Sequence, residues 1–202
     1  MSSEYEPVFG DRGAAAGGDL VTVRELFRAA SGPYLRSPWS WLAWALILPG
    51  AALATPRVWA RFGPSGTLLT WSAAILLGGA IEMGAIRRGS RGEERPASRS
   101  PLATWAFRAQ GNLSLVALAL SALMLWQDLA WTLPGLWLLL LGHSFYILGG
   151  ISFPPLRVYG LLYQAGGVAA LWPGGAPLPL FALTAAAANL WMAYAVWRET
   201  GH

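Results

Sequence analysis

The chain has 202 residues, of which 55% are hydrophobic and 12% charged, with a formal net charge of +4. Water-soluble domains carry about 25% charged residues, so an ordinary soluble domain is excluded. The basic side chains fall between apolar runs, where membrane topology explains them better than nucleic acid does. The absence of cysteine excludes disulfides, thiolate catalysis, Cys-ligated zinc, iron–sulfur clusters and covalently attached haem.

Residues 1–18 are polar and Gly-rich and bury too little apolar area to order themselves, so they read as a disordered cytoplasmic tail. Thr22 and Glu25 then have capping-box spacing, and Val23, Leu26, Phe27 and Ala30 share one helical face. Gly32 and Pro33 stop that helix. Residues 19–37 are thus expected to form a short amphipathic helix, either at the membrane interface or docked on the end of the bundle.

From residue 38 to 202 the chain reads as an all-α, polytopic integral membrane bundle of six transmembrane helices. The expected spans are 38–55, 66–86, 102–126, 129–151, 155–172 and 177–197, against about 20 apolar residues for one crossing. Pro49 should kink the first span or end it early. The fifth is short and holds Gly160, Gly166 and Gly167.

Arginine placement orients the bundle. Arg24, Arg28 and Arg36 precede the first span, Arg87, Arg88, Arg91, Arg95 and Arg99 follow the second, and Arg157 and Arg198 lie on the same side. Only Arg57 and Arg61 lie opposite. The positive-inside rule then puts both termini in the cytoplasm, with the protein in the cell membrane. Trp39, Trp41, Trp105 and Trp197 are expected in a cytoplasmic aromatic belt, and Trp59, Trp71, Trp126, Trp131 and Trp172 in an outer one.

Nearly every span carries a polar intruder. At 1.5 Å per residue, Glu82, Arg108, His143, Gln164, Asn189 and Asn112 lie roughly 6, 9, 12, 13, 13 and 15 Å from the cytoplasmic ends of their spans. They share one layer. Small residues lie beside them: Gly78, Gly79 and Ala85 near Glu82, Gly111 near Arg108 and Asn112, Gly160 and Gly167 near Gln164, and Ala182, Ala185, Ala186 and Ala193 near Asn189. His143 shares a face with Tyr146 and Gly150 and borders the stripe Gly135, Gly142, Gly149. Small residues line helix contacts in membranes. Glu82, Arg108, Asn112, His143, Tyr146, Gln164 and Asn189 are therefore expected to face inward as one candidate intramembrane polar site. Glu82 is expected to pair with Arg108, and His143 to hydrogen-bond Asn112 or Tyr146.

No motif names a chemistry. Bis-His haem needs two mid-membrane histidines, and the chain has His143 and the terminal His202. A zinc site needs three or four ligands. A rhomboid-type serine protease needs a Gly-x-Ser-x-Gly region, which Gly142-His143-Ser144-Phe145 does not match. No catalytic residue, metal or cofactor is assigned, and nucleic acid is not expected as a partner. The loop arginines Arg87, Arg88, Arg91, Arg95 and Arg99 either set topology or contact lipid head groups or a cytoplasmic partner. The first expectation for function is a non-catalytic accessory or structural subunit of a membrane complex, in contact with lipid and with a partner membrane protein or copies of itself. The alternative is a small transporter or ligand-binding receptor using the polar site around His143.

Overall fold

In the computed structural model, residues 37–89 and 101–200 are described, and every regular element among them is helical. The elements are α1 (Pro38–Gly89), α2 (Pro101–Trp126), a 3-10 turn (Ala130–Thr132), α3 (Leu133–Ile151), α4 (Pro155–Leu171) and α5 (Pro177–Thr200). The expected tail 1–18, most of the amphipathic segment 19–37, and Arg91, Arg95 and Arg99 lie outside the described residues.

Among the described residues, four helices are long and apolar enough to cross a membrane: Pro38–Arg88, Arg108–Trp126, Ala130–Gly150 and Pro177–Thr200. Their length and composition suit a helical membrane protein, and by this measure the count among the described residues is four rather than six. Two features account for the difference. The first two expected spans are joined in α1, and α4, at 17 residues, falls short of the length for a crossing.

The 52 residues of α1 are not one rod. A straight helix of that length would measure about 78 Å, more than twice a bilayer's hydrocarbon core. The helical conformation breaks at Gly63, whose φ of 63° and ψ of −155° belong to a region open only to glycine. Two arms, 38–62 and 64–89, fold back on each other there. Thr55 and Trp71 lie eight residues either side of Gly63, and the Trp71 indole donates to Thr55 Oγ1 at 3.0 Å. Trp44 and Glu82 lie nineteen residues either side and are also hydrogen-bonded. In an antiparallel hairpin, residues equidistant from the turn stand at the same height, so both bonds follow from the position of Gly63. Of the two outcomes expected at Pro49, a kink or an early end, the early end does not occur. Helical geometry continues past Pro49 and Pro56 to the glycine, so the stop lies where the backbone must turn.

A second hairpin repeats this clasp. Ser121 on α2 and Trp137 on α3 lie eight residues either side of Leu129, and the Trp137 indole donates to Ser121 Oγ at 3.0 Å. In both clasps the hydroxyl also donates back to its own helix, Thr55 to Ala51 O and Ser121 to Ala117 O. The turn between α2 and α3 places Asp128 at φ 56°, a conformation that Asp tolerates better than most residues.

Packing is graded along the bundle. α3 lies on α4, α4 on α5, and α5 on α1, while α2 touches chiefly α3 and the 3-10 turn. The α3–α4 contact is the closest. A Cβ on Gly142 would come within 2.7 Å of Gly160 O, and one on Gly160 within 2.6 Å of Gly142 O. Only glycines let the two backbones approach this far. The core gathers Ala52, Leu138, Phe153, Tyr159, Tyr163, Phe181, Ala185, Met192 and Val196.

Candidate functional site

The deepest polar group in the fold is Asn189 on α5, 1% exposed. Its side chain is saturated. Nδ2 donates to Tyr163 Oη at 3.1 Å and to Ala185 O at 2.7 Å, and Oδ1 accepts from Tyr159 Oη at 3.3 Å. Tyr159 and Tyr163, one turn apart on α4, stack with ring centroids 4.5 Å apart. Phe145 from α3 meets the Tyr159 ring edge-on at 4.8 Å, and Trp41 from the first arm of α1 does so at 5.3 Å. Two other helices and an arm of α1 thus converge on Tyr159. The sequence allows this because Ala182, Ala185 and Ala188 leave α5 narrow beside Asn189, which gives the tyrosine rings room to lie flat between helices.

Glu82, half-buried on the second arm of α1, accepts a hydrogen bond from Trp44 Nε1 at 3.3 Å. Gly78 lies against the Trp44 ring, so that indole fills the space a side chain at position 78 would take. The expected Glu82–Arg108 pair is not made. Arg108 lies on an exposed face of α2, and no ion pair forms among the described residues. The reason is that α2 packs on α3 and not on the arm that carries Glu82.

His143 also differs from expectation. It lies on an exposed face of α3 together with Tyr146, and neither side chain is hydrogen-bonded among the described residues. The glycine stripe that suggested an inward His143 does pack, but position 143 is turned about 100° from Gly142 and looks away. Its neighbour Ser144 takes the inward role, donating to Gln110 Oε1 on α2 at 2.6 Å. Asn112 is exposed, two positions on from Gln110. Gln164 is half-buried and its side chain makes no hydrogen bond among the described residues, although its backbone N lies against Gly142. Arg87 and Arg88 are exposed in the last turn of α1.

The expected layer therefore divides into three parts. Asn189 and Glu82 close on aromatic partners inside the bundle, Gln164 sits at its margin, and Arg108, Asn112, His143 and Tyr146 are displayed outward. A groove lies elsewhere, an open apolar cleft of about 560 Å³ between the start of α1 and the end of α5, lined by Pro38, Trp39, Leu42, Leu190, Tyr194 and Trp197 among others. Among the described residues no three His, Asp or Glu side chains are grouped as a metal site would need.

Sequence reasoning missed the tyrosine pair and the tryptophan donors. Trp41 and Trp71, expected in aromatic belts, turn inward onto Tyr159 and Phe181. The missed signal was the register about the turns, which places Trp44 level with Glu82 and Trp71 level with Thr55. The Trp41 indole N–H is buried without an acceptor among the described residues. No known protein family, curated protein or solved structure matches this chain.

Proposed function

We propose that this protein is a non-catalytic accessory or structural subunit of a membrane complex. The observation that carries this reading is the division of the polar residues. Asn189 and Glu82 are hydrogen-bonded to aromatic side chains within the bundle, whereas Arg108, Asn112, His143 and Tyr146 point away from it. A transport or receptor site would need Glu82, Arg108, Asn112 and His143 to line one cavity, and their placement on different faces favours the subunit reading over that alternative. A buried, hydrogen-bonded tyrosine–asparagine cluster serves as a brace between α4 and α5. An outward polar face on an apolar helix is what a membrane subunit presents to a neighbour.

In this reading α1 crosses the membrane twice, once per arm, α4 completes a shorter crossing, and the six crossings leave both termini on the cytoplasmic side of the cell membrane. The exposed Arg87, Arg88, Arg157 and Arg198 at that end support the orientation. The chain has no cysteine, so single cysteines report topology directly. Thr200→Cys should label from the cytoplasm and Gly174→Cys from outside. Protein extracted from its native membrane in mild detergent should run as a complex larger than the monomer. A strictly monomeric species, with no crosslinked neighbour in intact membranes, would overturn the proposal.

A further inference from the structure

The second helix carries a surface that the other described helices do not cover. Gln110, Ser114, Ala117 and Ser121 of α2 turn toward α3, where Gln110 and Ser121 are hydrogen-bonded and Ala117 is 1% exposed. Arg108, Gly111, Asn112 and Leu115 recur every three or four residues on the other side, and all are exposed. The stretch Arg108–Trp126 is apolar enough to cross a membrane. Arg108 opens that stretch and Asn112 lies one turn inside it, so on the outside of the helix the Asn112 amide would face hydrocarbon, and neither side chain has a hydrogen-bond partner among the described residues. Gly111 adds an open approach, since a Cβ there would meet nothing within 4 Å.

We infer that this face is the contact surface for a transmembrane helix of a different protein, one that carries a carboxylate at the depth of Arg108. The inference rests on the subunit reading above and names its surface and the chemistry of its partner. Complementarity selects the occupant. A second copy paired about a two-fold axis would set Arg108 against Arg108. Among the described residues, the acid that lies well inside a helix able to cross is Glu82, and its carboxylate is already bonded to Trp44. A lipid phosphate would satisfy Arg108, whose long side chain reaches the interface. It would not reach Asn112, which lies about 6 Å deeper. A partner helix meets both needs, with its carboxylate on Arg108 and a polar side chain or carbonyl on Asn112, while Gly111 lets its backbone come close.

The test is photo-crosslinking of the full chain in its native membrane, with a photoreactive amino acid placed at Leu115. The expected result is one protein adduct whose partner, identified by mass spectrometry, carries Asp or Glu within a membrane span. Arg108→Glu should reduce that adduct at least tenfold, and exchanging the partner's carboxylate for Lys should restore it. Arg108→Gln, which introduces no like charge, should give an intermediate loss and guards against a variant that fails to insert. An adduct of twice the chain's mass, an adduct to lipid alone, an internal adduct to residues 90–100, an adduct indifferent to Arg108, or no adduct would each overturn the inference. The same photoreactive residue at Leu183, exposed on α5, separates the two claims. A partner caught there and not at Leu115 would preserve the subunit reading and reject this face.

Discussion

Two helices of this protein are almost equally apolar and have opposite fates. In the most apolar stretch of α5, 50% of residues are buried, and in that of α2, 6%. Each carries an asparagine. Asn189 makes three hydrogen bonds inside the bundle, and Asn112 is exposed with none among the described residues. Hydropathy therefore decides that a segment enters the membrane and says nothing about what it meets there. The difference comes from the neighbours. α5 lies between α4 and both arms of α1, whereas α2 sits at the margin on α3. In a solvent as apolar as leucine, interhelical contacts depend on fit and on polar bonds rather than on hydrophobic burial. The well-packed helix has both, and the marginal one has a single polar seam.

The contrast can be broken from its centre outward. Replacing Gly160 with Val should be the most damaging single change on the buried side, because the new side chain would collide with Gly142 O and the backbone of Tyr146. A loss of about 3 kcal/mol is expected, at the upper end for overpacked sites, measured by unfolding in mixed micelles. Asn189→Leu should cost about 2 kcal/mol, since it strands the hydroxyls of Tyr159 and Tyr163 in the core. A cost no larger than that of Tyr163→Phe would show that Asn189 does not organise the pair. Ser144→Ala removes the bond to Gln110 and should cost about 0.6 kcal/mol, the average for an interhelical hydrogen bond in a membrane protein. Asn112→Leu should change detergent stability by less than about 0.5 kcal/mol, as expected of a side chain with no partner in its own chain. A large loss there would mean that α2 is held by contacts on its outer side within the isolated protein, and the comparison with α5 would fail.

The apolar runs made the helices readable in the sequence, because a chain in lipid must bond every backbone group within its own segment. The faces were only half readable. At Asn189 the alanines on the same side do mark a contact, and the residue is buried. At His143 the glycine stripe marks a real contact too, but that contact belongs to the adjoining face, so nearness in sequence pointed the wrong way. Gly111 illustrates a harder case. It resembles a packing glycine beside Arg108 and Asn112, and nothing in its own chain packs there. A single sequence cannot distinguish a face that meets its own bundle from one that meets another protein. The indole bonds went unread for a different reason. Tryptophan in a membrane protein suggests an interfacial anchor, and only the register about Gly63 and Leu129 reveals Trp44, Trp71 and Trp137 as donors between helices.

The break at Gly63 also bears on how the protein reaches its membrane. Its two arms are adjacent in the chain and clasped at two heights, so their contacts close a loop that is complete once residue 89 has been synthesised. Non-local contacts slow folding because loop closure must come first, and here the closing segment is one glycine. The hairpin of α2 and α3, with its matching Trp137–Ser121 clasp, has the same independence. The central brace is different. Tyr159 and Tyr163 wait for Asn189, which lies near the end of the chain. Assembly would then pass through two preassembled pairs, and α5, made after both, would lock α4 and the arms of α1 into one body.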